Sequence, residues 1–152
     1  METKIRKARL ADAEIIADFN SFIAQETEHR SLDHKRLLRG VKSLLKDPSK
    51  GIYYVAEIGG EVVGQLMITY EWSDWRNGHF WWIQSVYVKQ EFRQHGIFRS
   101  LYDHLEKLAR KRRDVCGLRL YVERENHRAQ ATYEKLGMTR TAYEMFEKDF
   151  VL

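Results

Sequence analysis

The sequence predicts an α/β fold, a mixed sheet carrying helices on its faces, and three observations lead there. Apolar residues recur with strand, then helix, then strand periodicity in the order strand, two helices, three strands, helix, strand, helix and terminal strands. The three middle strands look antiparallel, the first two meeting at the turn-forming pair Gly59-Gly60. Finally, 152 residues with 43% hydrophobic and 32% charged side chains supply one core and the charge to coat it, so a single domain over residues 1–152 is expected.

Each element has its own local reason. A short strand is expected around Lys4 to Arg9. Asp12 can then cap a helix whose apolar positions Ile15, Ile16, Phe19, Phe22 and Ile23 follow helical spacing. A second helix begins near Asp33 and carries Leu37, Leu38, Val41, Leu44 and Leu45 on one face until Asp47 and Pro48 stop it. β-Branched and aromatic residues make strands of Ile52 to Ile58 and Glu61 to Tyr70, and WSDWRNG breaks the pattern before a strand from Phe80 to Val88. The chain then passes through KQEFRQHG into a helix with Ile97, Leu101, Leu105 and Leu108 on its buried stripe. A strand from Leu118 to Val122 feeds a helix from Asn126 to Leu136, ended by Gly137, and Met138 to Phe150 reads as terminal strands.

Composition removes several function classes. Cys116 is the only cysteine, so a disulfide framework and a multi-thiolate zinc site are both excluded. The histidines at 29, 34, 79, 95, 104 and 127 lack the i, i+4 pairing of a helical zinc site, and no G-x-S-x-G elbow occurs; no metal is expected. No apolar stretch approaches the roughly 18 residues that cross a bilayer, and the first ten residues lack a signal-peptide hydrophobic region, so a cytoplasmic protein without a membrane partner is expected. The net charge of +4 favours anionic ligands. Arg110, Lys111, Arg112 and Arg113 are read as a helix end meeting the macrodipole, and no basic stripe with interleaved aromatics supports nucleic-acid binding.

The segment VYVKQEFRQHGIFRSL carries the strongest chemical signal, because a strand runs into a loop holding Gly96 and straight into a helix near Ile97. The first N–H groups of such a helix have no intrahelical partners and sit at the positive end of its dipole, so they suit a phosphate. By itself one glycine before a helix is a weak signal, and a plain turn fits it better.

Arg93-Gln94-His95-Gly96-Ile97-Phe98 resembles the pyrophosphate loop R/Q-x-x-G-x-G/A of the GNAT superfamily of acetyltransferases. Asn126-x-x-Ala129-x-x-x-Tyr133-x-x-Leu136-Gly137-Met138 resembles that family's N-x-x-A-x-x-x-Y-x-x-L-G-[FM] segment. The resemblance covers most of the chain and implies a GNAT-type, mostly antiparallel twisted sheet with helices on both faces. It implies acetyl-CoA as cosubstrate, with Val86, Tyr87 and Val88 along the pantetheine arm and Arg93, Gln94, His95, Gly96, Ile97, Phe98 and Arg99 at the pyrophosphate. Asn126, Ala129 and Tyr133 belong to the same implied site, with Tyr133 donating a hydrogen bond to the leaving thiolate and the Val86 N–H facing the thioester carbonyl. Phe98 replaces the family's small residue and must therefore point away from the cofactor. Gln84 stands where many relatives carry a basic glutamate, and it cannot accept a proton.

The acceptor must be a neutral nucleophile, so a carboxylate is sought. Glu26, Glu28, Glu71 and Asp74 are candidates, with Glu28 favoured as a catalytic proton acceptor. The stretch EWSDWRNGHFWW resembles the W-[RK]-G segment of diamine and polyamine acetyltransferases, and Glu28, Trp72, Asp74 and Trp75 are expected to form an acidic and aromatic wall for a cationic amine. Together these readings imply an acetyl-CoA-dependent N-acetyltransferase acting by direct transfer on the primary amine of a small molecule. A catalytically silent acyl-CoA-binding module and a peptide N-acetyltransferase remain as alternatives. A homodimer is expected from the aromatics of Phe80 to Trp82 and the terminal segment Tyr143 to Phe150.

Overall fold

Five strands in sequence order, β1 (Thr3–Lys7), β2 (Ile52–Ile58), β3 (Glu61–Ser73), β4 (Gly78–Val88) and β5 (Val115–Arg119), form one sheet. The first four are antiparallel neighbours and β5 runs parallel to β4, so the expected mixed, mostly antiparallel sheet is present. The computed structural model describes residues 2–152, in two compact units, Met1–Leu120 and Tyr121–Leu152.

In the first unit, strand alternation assigns helices to faces. Tyr53 and Val55 of β2 share a buried cluster with Ala13, Ile16 and Ala17 of α1 (Ala13–Glu28) and with Val41 and Leu44 of α2 (His34–Leu45). Tyr54, on the other face, meets His104 of α3 (Ile97–Arg110), with ring centroids 5.6 Å apart. Asp33 caps α2 by accepting from the Lys35 and Arg36 amides. Asp12, expected to cap α1, makes no such bond. Its carboxylate takes the Arg6 guanidinium at 2.8 and 3.0 Å and the Arg9 amide at 2.6 Å, tying β1 to the turn ahead of α1. The carboxylate is thus engaged by Arg6 and the Arg9 amide and not by the amides of α1.

Three boundaries depart from expectation. WSDWRNG lies within the β3–β4 hairpin, since the strands run to Ser73 and from Gly78 around a turn with Asn77 at φ 50°. Trp72 against His79, 5.0 Å apart, and Arg76 over the Phe80 ring at 4.9 Å hold the extension together. β5 starts three residues earlier than expected because its parallel register is set by His79 to Trp82 of β4. The terminal strands expected over Met138 to Phe150 are absent; residues 138–152 contain no strand. A strand needs a ladder partner, and the second unit contains only α4 (His127–Lys135) as a regular element.

Candidate active site

The site is built where β4 loses its neighbour. β5 pairs with β4 from His79 to Trp82 and then ends, so beyond Trp82 the main chain of β4 is unpaired on that side. There β4 also breaks register with β3: Met67 faces Gln84 and Gln65 faces Tyr87, leaving Ser85 and Val86 opposite the single residue Leu66. This is a β-bulge, and Ser85 lies in the left-handed region at φ 51°. Bulges re-aim strand groups toward functional sites.

After Val88 the chain is pinned by the Lys89 amide donating to the Val63 carbonyl at 2.8 Å. Gln94 (φ 66°) and Gly96 (φ 76°) then bring it round in left-handed conformations to the start of α3. The Ser100 amide is the first to reach back, to the Gly96 carbonyl at 3.0 Å; the amides of Ile97, Phe98 and Arg99 precede the intrahelical ladder and point out of the helix end. Ile97 anchors the turn, buried against Gly64 of β3. A Cβ on Gly64 would stand 3.1 Å from Ile97 Cγ2 and 3.2 Å from the Tyr87 carbonyl oxygen, so that glycine lets α3 seat closely. Nothing lies within 4 Å of a Cβ built on Gly96, the N-cap of α3. Phe98 extends toward Tyr102, its ring 6.2 Å away along the helix.

Arg93 does not stand ready for a phosphate. Its Nε donates to the Val88 carbonyl at 2.8 Å and its Nη2 to Glu26 at 3.0 Å, with the guanidinium 5.3 Å from the Tyr87 ring. Together with Phe19 and Phe22, stacked on Tyr87 at 4.9 and 5.8 Å, it fastens the end of β4 to α1. Gln94, His95 and Arg99 are exposed around the turn.

The four residues expected as one acceptor wall are not brought together. Glu28, exposed, is the last residue of α1, at the end of the helix that meets Tyr87 and Arg93. Trp72, Asp74 and Trp75 lie at the other end of β4, where the hairpin turns. From His79, opposite Trp72, to Val86 the strand covers roughly 23 Å at about 3.3 Å per residue. Trp75 is 85% exposed, and the Asp74 carboxylate accepts from the Trp75 amide at 2.9 Å. Glu71 and Glu26 are engaged too, by Arg119 at 2.6 Å and by Arg93. Gln84 donates to the Thr69 hydroxyl at 2.6 Å. No cluster able to hold a metal occurs among the described residues.

In the second unit, the spacing from Asn126 to Met138 is a helix with both ends written in. The Asn126 side chain accepts from the Ala129 amide at 3.1 Å, an N-cap. At the other end Gly137 adopts φ 89°, its amide bonds to the Glu134 carbonyl, and the Met138 amide bonds to the Tyr133 carbonyl, a Schellman closure. Tyr133 is half-buried, and burial pushes its phenol above its ordinary value; it keeps its proton at neutral pH and is a donor.

Sequence reading missed the Ser85 bulge, Gly64 and the buried side chain of Gln65. Only the polar Gln65 within the apolar run Val63 to Ile68 hints at them.

The model of the acetyltransferase (GNAT) family matches residues 14–138. The structure of a possible acetyltransferase from Clostridium difficile 630 is 48% identical with a TM-score of 0.91, each chain covered over 100% of its length. A predicted acetyltransferase from Clostridium acetobutylicum, solved with acetyl-CoA, is similar in fold at 19% identity and TM-score 0.78, with 99% of this chain and 97% of that one covered. A ribosomal-protein-alanine N-acetyltransferase from Brucella melitensis biovar Abortus 2308 has 21% identity and TM-score 0.77, over 98% and 99% of the two chains. No protein of curated function matches the chain. A strand that outruns its neighbour, a bulge, and a helix that starts after a left-handed glycine thus occur in a chain that belongs to the GNAT acetyltransferase family.

Proposed function

We propose that this protein is an N-acetyltransferase that takes the acetyl group of acetyl-CoA and moves it directly to a primary amine of a small molecule. The observation that carries the reading is the run of β4 beyond its last β5 pair at Trp82, leading through the bulge to the N-terminus of α3, whose first-turn amides precede the intrahelical ladder. These groups fit the cosubstrate: extended main chain suits the amide-bearing pantetheine arm, and the helix start with open space at Gly96 suits the pyrophosphate. Acetyl-CoA supplies the activated thioester carbon and a thiolate leaving group. Val86 to Val88 would hold the arm, with the Val86 N–H as the donor for the carbonyl oxygen on which charge would develop. Tyr133 would donate a hydrogen bond to the departing sulfur, and Glu28, through water, would receive the amine proton. Family likeness supports acetyl transfer; the choice of amine rests on the chemistry of these groups alone.

We also propose a homodimer. Phe80 and Trp81, expected to face a partner, are buried in their own chain, so the surface comes from the C-terminal segment. Tyr143, Met145, Phe146, Phe150, Val151 and Leu152 are all exposed within ten residues, more apolar surface than one short segment of a monomer ordinarily leaves to water. A second copy of the chain is the occupant that covers it.

Thiol release from acetyl-CoA, measured across diamines, polyamines, amino acids, aminoglycosides and N-terminal peptides, tests the activity. Turnover on a small amine is expected. Binding of acetyl-CoA without turnover on any acceptor would make the protein a silent acyl-CoA-binding module.

A further inference from the structure

Ser85 is an uneconomical residue for its place. A side chain in the left-handed region is disfavoured by roughly 1–2 kcal/mol relative to the right-handed one, and such a residue persists only where its surroundings over-determine it. The surroundings here are a buried polar chain beneath the bulge. Gln65 of β3 is 0% exposed, and its Nε2 donates to the Ser85 carbonyl at 3.0 Å. The same nitrogen lies 3.5 Å from Asn20 Oδ1 on α1, and Asn20 Nδ2 donates to the Tyr53 hydroxyl of β2 at 3.2 Å. Gln65 alone reaches the carbonyl of the bulge, and Asn20 and Tyr53 continue the chain behind it.

The other half of the Gln65 amide makes no return for its burial. Its Oε1 is buried with no hydrogen-bond partner among the described residues, a state that costs about 1–3 kcal/mol. Methionine or leucine would fill similar space without that penalty. A polar side chain kept at a cost, with its donor on the carbonyl of the strained residue, is explained if that bond matters to the site.

We propose that Gln65 is a positioning residue for acetyl transfer: by holding the Ser85 carbonyl it fixes the β4 bulge and so decides which main-chain N–H groups face the side that β5 leaves open. The inference rests on the proposed function for its kinetic consequences, but the bulge itself is read without any ligand. Gln65 touches neither cosubstrate nor amine and acts only through the main chain of Ser85 and Val86.

Gln65→Met and Gln65→Leu are prepared together, so that one badly packed variant leaves the other. Both are expected to melt near the wild-type temperature, since removing the orphaned acceptor offsets the donor that the Ser85 carbonyl loses. In the ligand-free protein the Val86 amide is expected to shift its NMR resonance and exchange at least tenfold faster. With acetyl-CoA and the best amine, kcat is expected to fall about tenfold to a hundredfold, as when one oxyanion donor is misplaced, while KM for acetyl-CoA stays within about threefold. Adding Ser85→Gly, which removes the left-handed strain at its source, is expected to restore most of the lost kcat. An unmoved Val86 amide, or failure of Ser85→Gly to restore turnover, overturns the proposal. Wild-type protein without turnover would defeat the proposed function instead, and the amide measurement would still decide the role of Gln65.

Discussion

Gly96 sits at φ 76° with open space where a Cβ would stand, so replacing it costs conformation, not room. Gly96→Val either strains the turn by about 1–2 kcal/mol or rotates the first-turn amides of α3 away from the proposed pyrophosphate site. Calorimetry is expected to show acetyl-CoA binding at least tenfold more weakly than in wild type; unchanged affinity would move the pyrophosphate elsewhere. At Tyr133 the residue-scale argument concerns a proton. An ordinary phenol titrates near pH 10 and a thiol near 8.5, and burial raises the phenol further, so full proton transfer to the thiolate becomes less favourable and hydrogen-bond donation remains. Tyr133→Phe is expected to keep acetyl-CoA affinity within about twofold and to lower kcat about tenfold or more. Wild-type turnover should show no loss of this donor up to about pH 9. Equal turnover in the variant would leave Tyr133 a packing residue.

The start of α1 shows how one carboxylate can organise an element. Asp12 links the Arg6 guanidinium to the Arg9 amide, and Arg6 also reaches Glu57 of β2 at 2.7 Å. The Arg6 bond, followed by the Arg9 amide, outweighs burial and holds the Asp12 carboxyl below its ordinary value. A depressed folded-state value means that the stabilisation is fully present above the unfolded value near pH 3.9 and is lost as pH falls through the folded one. Wild-type melting temperature should therefore drop as pH is lowered below about 4. Asp12→Asn is expected to be about 1.5–3 kcal/mol less stable at neutral pH, the scale of hydrogen bonds to charged groups, and to lose less on acidification. Parallel melting curves across that range would remove Asp12 from the acid response.

For the whole molecule, the exposed apolar side chains of the C-terminal segment set the expectation. Phe146 is 94% exposed, and burying such a ring in an interface is worth about 1.5–3 kcal/mol. Equilibrium sedimentation at micromolar concentration is expected to find a dimer, and Phe146→Glu is expected to weaken it at least tenfold. A wild-type monomer at that concentration would remove the dimer.

The order and type of the elements up to α4, the helix start at Gly96 and the capped helix from Asn126 were legible in the sequence, because periodicity, caps and glycine turns act between residues close in the chain. So was the absence of disulfide and thiolate-metal chemistry, which composition alone decides. Only the tertiary structure placed Trp72 and Trp75 at the far end of β4 from Glu28, engaged Arg93 with Glu26 and Val88, and left residues 138–152 without a ladder. It alone put Gln65 under the left-handed Ser85. Those outcomes depend on register and on partners tens of residues away: Arg93 is 67 positions from Glu26, and Gln65 is 20 from Ser85. A one-residue bulge changes what an entire strand presents, and no local pattern in Ile83 to Val88 records where that extra residue is absorbed.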